Sequence, residues 1–151
     1  MEKRTKSSLG IVGETYLIAR LLRDFDIVSA KVPQQFFAYD LITNNGKKLE
    51  VKTARPSWNE KKRKEKIYRW PVWKFRRTPK QLPEGTSEIV VCLGFESEDM
   101  TKDPHCFIIP SEKLTNEKTG KPRELWMVMI KPKGKTKFWE WENRWDLITE
   151  D

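Results

Sequence analysis

The run 88–95, in which Ile89, Val90, Val91, Cys92 and Leu93 follow one another without a polar break, constrains this chain more than any other segment. A strand that lacks polar alternation must be covered on both faces, so the sheet that holds it needs a layer on each side. One layer is readable near the start. From Ser7 or Ser8, either of which can cap a helix, Leu9, Val12, Gly13, Tyr16, Leu17, Arg20 and Leu21 recur at spacings of three and four, the helical period. Ile11, Ile18 and Leu22 widen the apolar face, as suits a helix lying on a sheet. Glu14 sits beside that face, in the early turns where the helix dipole also favours an acid.

Further strands are expected at 25–30, before the break at Val32-Pro33, and at 36–43, 47–53, 105–110 and 126–131. A short capped turn follows at Ser111-Glu112-Lys113-Leu114, a helix is expected over 72–80 with Pro79 ending it, and 138–147 reads as a last strand or turn and a short helix. Asn44-Asn45-Gly46 joins 36–43 to 47–53 as a hairpin. A three-residue loop with glycine in the left-handed conformation pairs Thr43 with Lys47, and so sets Asp40 opposite Glu50 and Ala38 opposite Lys52, with the two carboxylates about 5 Å apart. A two-residue Asn45-Gly46 turn would oppose Asp40 to Val51 and split the set. The sequence does not choose between them; the longer loop is preferred here because only it gathers the polar side chains. The order of helix, strands, helix and strands argues an α/β (α+β) fold with a mixed sheet, as one domain over 1–151 with a basic loop or insertion around 54–70.

Counting removes several chemistries. His105 is the one histidine, so acid–base catalysis by two histidines in one chain is out, and with Cys92 and Cys106 it supplies too few ligands for a structural zinc site. Two cysteines make no disulfide framework, which suits a reducing cytoplasm, and both read as small buried hydrophobes. Neither a signal peptide nor an apolar run of about 20 residues is present, so no membrane partner is expected. Charge points elsewhere. The chain carries 30 basic and 22 acidic residues. The stretch 47–80 alone holds 14 basic and 3 acidic ones, which leaves the remainder slightly acidic. So local an excess implies a polyanionic partner rather than a generally solubilising surface.

Asp40, nine residues, then Glu50-Val51-Lys52 carries the chemistry. Phosphodiester hydrolysis needs cations to neutralise the phosphate and a water made nucleophilic near neutral pH. Carboxylate oxygens suit Mg²⁺, and a lysine two residues from the second acid shares its strand face, where it can orient water or stabilise charge. With Gly13-Glu14 on the helix, Asp40-Leu41-Ile42 on one strand and Glu50-Val51-Lys52-Thr53 on the next, the chain resembles the PD-(D/E)XK nuclease superfamily, which includes archaeal Holliday junction resolvases. The resemblance covers about residues 8–55 well and the strands at 88–95 and 105–110 more loosely. Tyr39 stands where the family often has proline. The resemblance implies a restriction-endonuclease-like core, a mixed central sheet flanked by helices. It also implies Asp40 and Glu50 as ligands to Mg²⁺ (with Mn²⁺ as substitute), Glu14 as a further ligand, the Val51 carbonyl as another, and Lys52 as the water's assistant. A homodimer follows from the same resemblance, since resolvases cut two strands symmetrically.

Arg55, Lys61, Lys62, Arg63, Lys64 and Arg69 are the residues expected at DNA phosphates, duplex or branched. Trp58, Trp70 and Trp73 interleave with them as stacking platforms or as packing; Trp126, Trp139, Trp141 and Trp145 read as core. Two rival functions remain: a non-catalytic nucleic-acid-binding module on the same fold, and a basic protein that binds an acidic protein.

Overall fold

Five strands form a mixed sheet in the order β1-β2-β3-β6-β7, with β1 Ser29–Lys31, β2 Leu41–Thr43, β3 Lys48–Ala54, β6 Ile89–Gly94 and β7 His105–Pro110. The computed structural model describes residues 6–33, 39–77, 88–116, 118–121, 123–131 and 137–150, so the expected strand residues Phe36, Phe37 and Ala38 and the segment 78–80 lie outside the described residues. β3 and β6 pair in parallel and the other neighbours are antiparallel. β6, the unbroken apolar run, is central and buried throughout. Its alternate side chains feed two cores. Ile89, Val91 and Leu93 pack with Leu41, Leu49, Val51, Leu17 and Leu21 under α1 (Lys6–Phe25), while Val90 and Cys92 pack with Trp73, Phe75, Phe107 and Trp126 on the other side.

The second side holds the main departure from expectation. The helix expected over 72–80 is the end of a strand, β5 (Lys66–Arg76), which pairs with β4 (Ser57–Arg63) and β8 (Leu125–Met129) in a three-stranded sheet. Among the described residues that sheet, rather than a helix, covers the second face. Trp73 and Phe75 are buried and Lys74 and Arg76 exposed, which is strand alternation and not a helical period. The basic segment expected as a loop is likewise ordered as a β4–β5 hairpin. The strand expected over 25–30 is shifted: α1 runs to Phe25, and β1 begins at Ser29.

The β2–β3 hairpin has the three-residue loop. Thr43 N–H donates to the Lys47 carbonyl at 3.0 Å, Gly46 N–H closes back on the Thr43 carbonyl, and Gly46 takes φ +87°, a conformation that glycine adopts without steric cost. Leu41 therefore opposes Leu49 and Ile42 opposes Lys48; the ladder ends there, because the N–H of Asp40, one residue on, also donates to the Leu49 carbonyl, so the expected pairing of Asp40 with Glu50 does not continue it. Asn45 Nδ2 donates to the Ile148 carbonyl, which ties this loop to α2 (Asp146–Thr149). Trp126 and Trp145 are core, and Trp139 and Trp141 lie at its edge. Trp73, offered above as a stacking platform, is wholly buried, whereas Trp58 is exposed. Both cysteines are buried thiols. No described helix is long and apolar enough to cross a membrane.

Gly13 sets the distance between α1 and β3, because a Cβ there would overlap the Thr53 side chain. Overpacking costs about 1–3 kcal/mol, against at most about 1 kcal/mol gained from alanine's helix propensity. Gly13→Ala is therefore expected to lower stability by roughly 1–2 kcal/mol in urea titration. An unchanged midpoint would show that the helix is free to shift.

Candidate active site

Three carboxylates come from three elements, with Asp40 in electrostatic reach of the other two. Glu14 comes from α1, Asp40 from the residue before β2, and Glu50 from the middle of β3. Local structure dictates each position. Gly13 lets α1 approach closely enough for Glu14 to be 8% exposed at the helix–sheet boundary. Asp40 is held at both ends: its N–H donates to the Leu49 carbonyl at 2.8 Å, and its Oδ2 accepts the Val51 N–H at 2.7 Å. Glu50 lies on the face of β3 that the second sheet covers, and it has no exposed surface.

Cations surround the acids. Lys31 Nζ lies 3.4 Å from Glu14 Oε2, Lys52 Nζ 3.6 Å from Glu50 Oε2, and Arg77 Nε 3.2 Å from that same Glu50 oxygen. Arg77 is itself buried, donates from Nη2 to Ser111 Oγ at 2.6 Å, and rests 6.0 Å from the Trp126 ring. Burial still wins. The Glu50 carboxyl is held above its ordinary value by desolvation first, against the opposing pull of Arg77 and Lys52, with Asp40 adding repulsion. Glu14 is raised for the same leading reason, and the Asp40 charge comes second.

The expectations divide as follows. Asp40 lies within electrostatic reach of Glu14 and of Glu50, and Lys52 pairs with Glu50. Val51 contributes its N–H to Asp40, while its carbonyl is the group named above as a ligand. Glu50 itself is covered, because the second sheet and Arg77 lie over it. Among the described residues no group of three or more His, Cys, Asp or Glu side chains is arranged to hold a metal ion. Arg77 was missed. A buried glutamate on a central strand demands a cationic partner, but the sequence alone offered many basic candidates and no register for β5.

Of the six residues expected at phosphates, Arg55 lies at the base of the β4–β5 hairpin, 3.8 Å from Glu98, and the other five lie along it. Lys61, Lys62 and Arg63 are on β4, Lys64 is in the turn, and Arg69 on β5 pairs with Glu60 at 2.9 Å and lies over the Trp58 ring.

The fold is similar to that of a bacterial homing endonuclease, I-Ssp6803I, with a TM-score of 0.61 and 14% identity over 97% of this chain and 94% of that one. No family model and no curated protein matches the chain.

Two outcomes follow from the electrostatics. Arg77→Met strands the Glu50 charge, and breaking one half of a buried pair costs about 3–5 kcal/mol; Arg77→Met combined with Glu50→Gln should recover much of that loss in thermal melts at pH 7. The second concerns pH. An acid whose folded pKa lies above its unfolded value stabilises the fold below that unfolded value, 4.5 for Glu14, and the contribution is lost as pH rises through the folded pKa. Glu14→Gln should therefore be more stable than the parent at pH 7, with the advantage vanishing near pH 4. A constant difference across that range would contradict the assignment.

Proposed function

We propose, from the fold shared with a bacterial homing endonuclease, that this chain is a Mg²⁺-dependent endonuclease that hydrolyses DNA phosphodiester bonds. The observation that supports this reading is Asp40, held by the Val51 N–H within electrostatic reach of Glu14 on one element and Glu50 on another, with Lys52 beside Glu50. The donor set fits a hard divalent cation: carboxylate oxygens that would supply two or so ligands and leave the rest to water and phosphate, as Mg²⁺ prefers. Asp40 and Glu50 would hold it, with Glu14 contributing directly or through a water. When bound, such an ion neutralises phosphate charge and makes its water acidic.

The chain's own residues do the rest. Asp40 is pre-organised by the Val51 N–H, so its carboxylate does not swing. Lys52, with a side chain 14% exposed, keeps a partly open ammonium beside Glu50; it orients the attacking water and stabilises charge on the phosphate as the leaving oxygen departs. Arg77 is a positioning residue that fixes Glu50 from below. Cutting both strands would take two such sites, which is the role of a homodimer in this proposal.

A second reading, a nucleic-acid-binding module without catalysis, is favoured by one observation: Glu50 is fully covered and already paired with Arg77. Incubation of duplex, branched and single-stranded DNA with Mg²⁺, Mn²⁺ or EDTA separates the two. Cleavage is expected with either metal and not with EDTA, and Asp40→Ala and Lys52→Ala should each slow it by about 100-fold or more while DNA is still retained in a gel shift. Retention without metal-dependent cutting on any substrate would favour the module.

A further inference from the structure

The β4–β5 hairpin leaves the body of the protein. Only the second part of β5, from Val72 to Arg76, pairs with β8, so 57–71 forms a two-stranded ribbon with no third strand. Its tip is a two-residue turn with Lys64 at φ +46° and Glu65 at φ +65°, the left-handed pair of a type I′ hairpin, which matches the strands' twist. Trp58 (54%), Ile67 (63%) and Tyr68 (50%) are all well exposed, so neither face of the ribbon is packed against the core.

Register separates the two faces. Trp58, Glu60 and Lys62 oppose Pro71, Arg69 and Ile67; Asn59, Lys61 and Arg63 oppose Trp70, Tyr68 and Lys66. The first face satisfies itself, since Arg69 bonds Glu60 and covers the Trp58 ring. The second carries Lys61, Arg63 and Lys66 with Asn59 and Tyr68, and no acidic residue shares it. Arg63, Lys64, Lys66 and Tyr68 also line a concavity of about 480 Å³ at the tip. Charge is thus segregated by face and not merely concentrated in a segment.

We infer that the ribbon enters the major groove of duplex DNA and reads base edges with the face of Asn59, Lys61, Arg63, Lys66 and Tyr68. The groove is about 12 Å wide and admits a two-stranded ribbon. Arginine and lysine reach guanine O6 and N7, and asparagine pairs with adenine. Trp58 and Arg69 are the brace on the opposite face. Location adds a second element. β5 runs unbroken from the tip to Arg76, and Arg77 follows directly and meets Glu50. The 12 steps from Glu65 to Arg77 span at most about 40 Å at ~3.3 Å each. The bases read would lie up to about one helical turn from the bond cut. That spacing rests on the nuclease reading, whereas the face assignment does not.

The test starts with binding in EDTA, so that cleavage plays no part. A pool of 40-base-pair duplexes with a randomised centre is selected on the full chain, and enrichment of a sequence is expected. Lys61→Ala, Arg63→Ala and Lys66→Ala should each weaken binding to that sequence by about tenfold and relax the preference. Ile67→Ala, on the opposite face, should change affinity less than about threefold and keep the preference. Replacing purines of the selected site by 7-deaza analogues, which lack the major-groove N7 acceptor, should weaken the parent protein about tenfold. No enriched sequence, equal losses from both faces in variants of unchanged circular dichroism, or indifference to the 7-deaza bases would each overturn the ribbon assignment. Cleavage with Mg²⁺ is scored separately. Cutting without a face effect removes the ribbon and keeps the nuclease, and a face effect without cutting does the reverse.

Discussion

Glu50 is a carboxylate with no solvent exposure, set in the middle of the strand that joins both cores. Moving an ion that far from water costs several kcal/mol even after relaxation, and the surrounding structure is arranged around that cost. Lys52 approaches from the same strand, and Arg77 from the end of β5. Ser111, just after β7, fixes the far side of the guanidinium. The end of β5, the face of β3 and the turn after β7 are therefore coupled through one charge. Replacing the group with a hydrocarbon of similar size would often be neutral or stabilising, so its presence is poorly explained by stability alone.

The acids nearby sharpen this point. Asp40 raises both Glu14 and Glu50, although burial is the larger effect at each. A purely structural network tends toward paired charges that relax one another; here Asp40 repels two glutamates from different elements. The helix is brought in by a glycine that admits nothing larger, and the aspartate is locked by a backbone N–H. Such unfavourable crowding, held by rigid elements, is what a site requires if its charge balance is to be completed by something that binds.

The parts of this arrangement that were readable in the sequence are those set by short-range rules. Asn44-Asn45-Gly46 marks a hairpin but leaves its loop length open; the three-residue loop pairs Leu41 with Leu49, and Asp40 stands just beyond the ladder with its N–H also on the Leu49 carbonyl. The apolar run of β6 required two covering layers, and α1 showed its period plainly. Misreadings arose where partners are distant in sequence. Trp73-Lys74-Phe75-Arg76 alternates as a strand does, but Pro79 suggested a helix end and β8, about fifty residues on, could not be seen as the pairing strand. The ribbon was obscure for a different reason. Hydrophobic alternation arises from one face meeting a core, and 57–71 has no core on either side, so its strands carry the composition of a charged loop. Arg77 was hidden by the same missing register.

The separation of charge along the chain then has a physical use within the proposed function. An acidic cluster repels a polyanion, so a site built from Glu14, Asp40 and Glu50 has little affinity of its own for phosphate before a cation arrives. A basic ribbon can supply that affinity only at a distance, where its lysines and arginines do not collapse onto the acids and neutralise them in place. The ribbon's exposed length does this. Lys61, Arg63 and Lys66 lie near its tip, whereas Lys52 and Arg77, the cations that do meet Glu50, lie at its root. In the proposed function, binding and chemistry therefore occupy separate regions that β5 joins. β5 is the rigid connection between them: its free part carries the exposed charge, and its buried part sets the guanidinium on which the orientation of Glu50 depends.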